Sequence, residues 1–162
     1  MIKIGIDPGI SGAIAVLCDD VLLAVHDMPV LEVKVGKTNK RQVSPQLLSS
    51  ILFEITCYAG GKGHDYWVAL EKVGAMPGQG VTSMFNFGRS FGVVEGVAAG
   101  HRLGISYITP QAWQKRSGKK EGKDGSRQRV MELYPEHADL FKRIKDDGRA
   151  DAVLIARYGL AG

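Results

Sequence analysis

Four carboxylates stand out by where they fall. Asp7 closes the apolar run Ile2 to Ile6 just before Pro8-Gly9, and Glu71 closes the run Trp67-Val68-Ala69-Leu70. Asp147 and Asp151 are four residues apart at the head of an apolar C-terminal segment, a spacing that puts both on one face of a helix. Each has an ordinary explanation when taken alone. Asp7 suits an Asx turn, Glu71 a solvated strand end, Asp147 a helix N-cap, and Asp151 the positive end of a helix. Their conjunction argues for chemistry, because three elements able to lie side by side each begin or end on a carboxylate that borders apolar sequence. At an effective dielectric of about 20, two carboxylates about 4 to 5 Å apart repel by roughly 3 to 4 kcal/mol, so a cluster of four persists only with cations or protons. Four carboxylates match two divalent cations in charge, and an oxygen-only donor set favours magnesium or manganese over zinc. Two such ions can activate a water and stabilise the leaving oxygen of a phosphodiester.

The elements that would hold these groups are legible in the patterning. Ile2 to Ile6, Ala13 to Leu17 and Val21 to His26 read as three consecutive strands, joined by the Gly-rich turn Asp7 to Gly12 and by Asp19-Asp20. Ser44-Pro45 caps and opens a helix carrying Leu47, Leu48, Ile51, Leu52 and Ile55, which should stop by Gly60-Gly61. Between Gly63 and a Gly/Pro-rich loop, Trp67 to Leu70 reads as a buried strand ending at Glu71. A long helix follows from about Thr82 to Arg102, with Gly88, Gly92, Gly96 and Gly100 along one face. Each glycine costs roughly 1 kcal/mol of helix propensity against alanine, so the stripe calls for close packing in compensation. Packing within the chain and packing against a second copy both satisfy that demand. Gly104 to Ile108 is a further strand, Thr109-Pro110 opens a short helix with Trp113, Ser126 caps a helix through Tyr134, and Asp151 to Tyr158 forms the closing helix. Strands first, then alternating helix and strand, imply one α/β domain over residues 1–162 with a mixed sheet.

Charge narrows the partners. The 162 residues hold 21 Lys+Arg and 17 Asp+Glu, a formal charge of +4. The segment Lys115 to Arg129 holds seven cations (Lys115, Arg116, Lys119, Lys120, Lys123, Arg127 and Arg129) against Glu121 and Asp124, a local +5, so the remainder carries −1. Broken by Gly118, Gly122 and Gly125, it reads either as a flexible loop that tracks phosphates or as a merely solvated one. Lys34, Lys37, Lys40 and Arg41 form a smaller cluster of the same kind. With 44% hydrophobic and 23% charged residues, a disordered tail is excluded. No apolar run approaches the ~20 residues of a membrane span, and Cys18 and Cys57 match no zinc or disulfide pattern. With no signal-like N-terminus, the chain reads as intracellular.

Ile4-Gly5-Ile6-Asp7-Pro8-Gly9, Ser11-Gly12-Ala13, Ala69-Leu70-Glu71 and Gly148-Arg149-Ala150-Asp151-Ala152-Val153-Leu154-Ile155-Ala156 together resemble the RuvC type of Holliday junction resolvase, within the RNase H-like nucleases. The likeness spans nearly the whole chain and leans to the phage and plastid branch. It implies a mixed five-stranded sheet flanked by helices, and a homodimer that nicks four-way DNA junctions symmetrically with two magnesium ions per active site, manganese substituting. The implied activity is that of a crossover junction endodeoxyribonuclease in recombination or repair, without a membrane partner. Asp7, Glu71 and Asp151 carry over directly as catalytic metal ligands. Better-known bacterial enzymes place their last two acids three apart, a position filled here by Gly148, so Asp147 is expected as the fourth ligand with Asp146 as fallback. Lys123 is similar to an active-site lysine of the phage and plastid branch, or else an ordinary backbone contact. Lys115, Arg116, Lys119, Lys120, Arg127 and Arg129 are the expected DNA contacts. The loop Val73 to Val81, with Met76, Pro77, Gln79 and Gly80, stands where relatives enter the junction centre; their aromatic has no evident match, since Phe85 and Phe87 fall later. The glycine-striped helix matches the family's dimer helix. Other readings are a non-catalytic branched-DNA or RNA binding protein of this fold, an RNase H activity, and an actin-like ATPase, for which 162 residues are too few.

Overall fold

The computed structural model describes residues 1–58, 65–72, 74, 78 and 80–160. The expected helix stop at Gly60-Gly61, Gly63, and Val73, Met76, Pro77 and Gln79 of the junction loop lie outside the described residues. In chain order the elements are β1 (Ile2–Ile6), β2 (Ala13–Cys18), β3 (Val21–Asp27), β4 (Val30–Val35), β5 (Thr38–Val43), α1 (Pro45–Tyr58), β6 (Tyr66–Glu71), α2 (Val81–Gly100), β7 (Gly104–Ile108), α3 (Pro110–Ser117), α4 (Gly125–Leu133) and α5 (Asp147–Tyr158), with 3-10 turns at Pro135–Phe141 and Ile144–Asp146. Five strands form one mixed sheet in the order β3-β2-β1-β6-β7, antiparallel from β3 to β1 and parallel from β1 to β7. No helix among the described residues is long and apolar enough to cross a membrane.

Alternation along the strands divides the core in two. Ile2, Ile4 and Ile6 of β1, Ile14 and Val16 of β2, and Val68 and Leu70 of β6 meet α1 and α2 through Leu48, Leu52, Val94 and Ala98. The opposite face offers Ala13 and Ala15 of β2 and Ala69 of β6, small residues that admit α5 closely through Ala152, Val153 and Ala156. α5 is buried along most of its length for this reason, with α3 and α4 packed beside it. As expected, Ser44 and Thr109 act as N-caps, accepting from the amides of Leu47 and Ala112, both at 3.3 Å.

The structure adds one hairpin and corrects three expectations. β4 and β5 form a separate two-stranded hairpin with the pairing Val33↔Lys40 and Glu32↔Arg41. Of its residues only Val43 is buried; β4 alternates Leu31, Val33 and Val35 with Glu32 and Lys34 as a strand does, whereas β5 carries no apolar period. The segment Lys115 to Arg129 is not one flexible loop: α3 runs through Ser117 and α4 begins at Gly125, leaving only 118–124 between them. Ser126 is not the cap of α4, because that helix starts one residue earlier after Asp124. Finally, no described residue packs on the glycine stripe of α2. Ser90, Val94 and Ala98 are the buried residues of that helix, whereas a Cβ added at Gly88, Gly92, Gly96 or Gly100 would meet nothing within 4 Å.

Candidate functional site

The parallel pairing of β1 with β6 sets the site. Register Ile6↔Leu70 places Asp7 and Glu71, one step further along, side by side at the carboxyl ends of neighbouring strands. Alternation turns both away from the α1/α2 face, since Ile6 and Leu70 point there. They therefore lie on the face that α5 covers, and α5 brings Asp151 to them. The three carboxylates interact: Glu71 is raised by the negative charges of Asp7 and Asp151, and Asp151 by that of Asp7.

Each is oriented by a neighbour. The Gly9 amide donates to Asp7 Oδ1 at 3.1 Å, the Trp113 indole Nε1 donates to Glu71 Oε1 at 2.9 Å, and the Ser126 hydroxyl donates to Asp151. Trp113 is one of the largest fully buried side chains of the molecule. Sequence reading had placed it only as part of a short helix, and nothing in a lone Trp announces that its N–H fixes a carboxylate 42 residues away. Ser126, read as a cap, is likewise a carboxylate partner.

Burial dominates the protonation of the cluster. It pushes Glu71 up to about 7 against the opposing Trp113 hydrogen bond, with Asp7 and Asp151 adding to the rise. It pushes Asp151 up to about 6, opposed by Ser126 and the Lys119 ammonium and assisted by Asp7 and Asp147. It also raises Asp7, opposed by the Gly9 amide. Three acids that all resist losing their last proton form a site that awaits positive charge. Their donors are oxygen only, the chemistry of a hard divalent cation. As placed, no three Asp, Glu, His or Cys side chains among the described residues close around one ion. In charge and donor type the group fits magnesium or manganese.

The fourth expected carboxylate is arranged differently. Asp147 acts on Asp151 but accepts from Arg127 Nε at 2.6 Å. The fallback Asp146 is 1% exposed and is gripped by Arg143 Nη2 at 2.9 Å with Arg149 at 3.7 Å. Burial alone would raise its pKa, and the two guanidiniums outweigh it to lower the pKa. Position 148 has room for no side chain: a Cβ there would stand 2.2 Å from the carbonyl oxygen of Ser11 and 2.9 Å from Gly12 Cα. Gly12 in turn has its own Cβ position 2.2 Å from the carbonyl oxygen of Asp7 and 2.8 Å from Asp7 Cγ. The first turn of α5 thus rests on the turn that carries Asp7, backbone against backbone.

The expected cations separate into two groups. Lys115, Arg116, Lys120 and Lys123 are exposed, with Arg116 also donating to the Tyr158 carbonyl at 3.1 Å. Lys119 is half-buried and its charge reaches Asp151, whereas Lys123, the lysine expected at the reacting phosphate, is exposed. Arg127 is not a surface contact: it is buried and spends its guanidinium on Asp147, Asp124 and the Lys142 carbonyl. Arg129 ties α4 to the end of α3 through the Ser117 carbonyl at 2.8 Å and pairs with Glu132 at 3.1 Å.

No protein-family model and no curated protein matches the sequence. Solved structures do. The chain is similar to Thermus thermophilus RuvC in complex with a Holliday junction substrate, with a TM-score of 0.64 and 18% identity over 96% of this chain and 90% of that one. It is similar also to a second Thermus thermophilus RuvC structure, with a TM-score of 0.54 and 16% identity over 96% of this chain and 91% of the other. With the strand order and the helices on both faces, these likenesses establish that the chain has the RuvC type of RNase H-like fold.

Proposed function

We propose that the protein is a magnesium-dependent endonuclease that resolves four-way DNA junctions by paired symmetric nicks. The observation that carries this reading is the side-by-side placement of Asp7 and Glu71 at parallel strand ends, faced by Asp151 from α5, all three held with raised proton affinity. The neighbouring RuvC structure with a Holliday junction substrate supports branched DNA as the substrate class.

In this reading Asp7, Glu71 and Asp151 hold the metal ions, with Asp147 as fourth donor beside Asp151 and one of its oxygens committed to Arg127. Magnesium bound there would supply activation of a water and neutralisation of the leaving oxygen. Trp113 commits Glu71 Oε1 and so leaves Oε2 to ligate. Lys119 stands where it can hold a phosphate against Asp151, and Lys123, Lys115, Arg116 and Lys120 supply contacts to the duplex arms. Paired nicks need two active sites, whereas one chain carries one carboxylate cluster. The uncovered glycine face of α2 is the surface we assign to a homodimer.

The test is a nicking assay on a labelled four-way junction with magnesium or manganese. Asp7→Asn is expected to abolish cleavage, by at least about 1,000-fold, while junction binding in EDTA persists; undiminished cleavage would remove the assignment. A non-catalytic binding protein of this fold is the second reading; among the described residues, no three side chains as placed close around one ion. Tight binding by the wild type without cleavage in either metal would select it, and an RNA–DNA hybrid run alongside separates an RNase H activity.

A further inference from the structure

A groove of about 520 Å³ lies between β5 and the first half of α2 and reaches Ile10 at one end. We propose that this groove seats a strand of the DNA substrate, its phosphates on Lys40, Arg41 and Arg89 and a base on Phe87; the proposal rests on the nuclease reading above.

Five observations carry it. Its charged lining is cationic throughout, Lys40 and Arg41 from the hairpin and Arg89 from the helix, with no carboxylate among the described residues that line it. None of these three cations forms an ion pair among the described residues, and Glu32, which stands opposite Arg41 in the hairpin, bonds Asn39 instead. Arg89 donates to the Gln42 amide oxygen, which pins the hairpin to α2 and leaves the guanidinium charge in place. Phe87 lines the same groove at 36% exposure, an aromatic face between cations. A stacking platform flanked by cations is the arrangement that holds single-stranded nucleic acid irrespective of sequence. Finally, Ile10 at the end of the groove belongs to the same turn, Asp7 to Gly12, that carries the carboxylate Asp7.

This gives the β4–β5 hairpin a purpose. It adds little to the core, yet it forms one wall of a channel on the side of the sheet opposite α5, away from the basic segment Lys115 to Lys123. The protein would then hold branched DNA from two sides of the carboxylate cluster.

Fluorescence anisotropy of a labelled four-way junction, measured with the full chain in EDTA across a salt series, tests this. Lys40→Gln/Arg41→Gln is expected to weaken binding at least about 10-fold at moderate salt and to lower the slope of log affinity against log salt by about 2, one for each lost phosphate contact. Phe87→Leu is expected to weaken binding by about 5- to 100-fold with the slope unchanged, as loss of stacking requires. Lys142→Gln/Lys145→Gln removes the same charge from the surface of the 3-10 turns and is expected to leave the slope within about 0.5 of the wild type. An unchanged slope for Lys40→Gln/Arg41→Gln, or an equal drop for the control pair, overturns the groove. Failure of the nuclease reading registers separately, as a wild type that binds the junction with the full slope and does not nick it.

Discussion

At the scale of single residues, the cluster is held by groups that sequence could not nominate. Glu71 ends its strand beside Asp7 because of register, but which of its oxygens faces the cluster is decided by the Trp113 indole. Trp113→Phe keeps the buried ring and removes only the donor. A lost partner of a metal-ligating carboxylate lowers metal affinity or activity by about 10- to 100-fold. We expect nicking to fall in that range at low magnesium, with partial recovery at high magnesium, whereas thermal unfolding shifts little; a rate equal to wild type at low magnesium would remove Trp113 from the site. The lysines offer a second contrast. Lys119 acts electrostatically on Asp151, and Lys123 is exposed. Lys119→Ala is therefore expected to lower the nicking rate at saturating junction more than Lys123→Ala does, and the reverse order would return the active-site role to Lys123.

Among the elements, the contact between α5 and the Asp7 turn matters most. Both sides of it are glycine, Gly148 and Gly12, because the backbones meet where side chains would stand. Gly148→Asp places a carboxylate three residues before Asp151. Here it is expected to destabilise the fold by about 1 to 3 kcal/mol, as overpacking does, and to lower nicking rather than improve it. Denaturant unfolding and the nicking assay together check this, and a variant of wild-type stability and activity would show that α5 can shift outward freely. α2 presents the opposite case, a glycine face with no described residue against it. Gly92→Leu meets no obstacle in the isolated chain, so a change in its light-scattering mass from dimer to monomer would report the interface alone. A dimer that survives this substitution would place the interface elsewhere.

For the molecule as a whole, the proposed metal site would couple metal binding to stability. Glu71 and Asp151 are raised to about 7 and about 6 in the fold, so between about pH 4 and pH 7 the folded protein retains protons that the unfolded chain has released. Stability contributed by these groups is full below the unfolded pKa values and is lost as pH rises through the folded ones. In EDTA, the melting temperature is thus expected to fall from pH 5 to pH 8. Magnesium or manganese, binding the ionised cluster, is expected to raise it at pH 8 and hardly at pH 5. Scanning calorimetry at both values checks the sign, and a metal-free protein more stable at pH 8 than at pH 5 would contradict the protonated cluster. Asp7→Asn should flatten the dependence, because one repelling charge is gone.

Much of the fold was legible because its signals are local. Ile2, Ile4 and Ile6 alternate, Ser44-Pro45 and Thr109-Pro110 open helices, and the apolar run from Ala152 to Ala156 marks a helix buried on a sheet. The acids that end or head these elements could be named for the same reason. What a one-dimensional pattern lacks is distance across the fold. Only the first strand of the β4–β5 hairpin alternates, Leu31, Val33 and Val35 with Glu32 and Lys34, while Thr38–Val43 carries no apolar period and is made a strand by its pairing. Arg127 looked like its lysine neighbours until packing turned it inward against Asp147, and the basic run that contains it proved to be two helix ends and a short loop. Sequence by itself determined which residues could do chemistry and which elements carry them, since residue type and periodicity are properties of the chain. Tertiary structure alone decided which carboxylates face one another, which cations remain at the surface and which face of α2 stays uncovered, because these depend on register and burial between segments far apart in sequence.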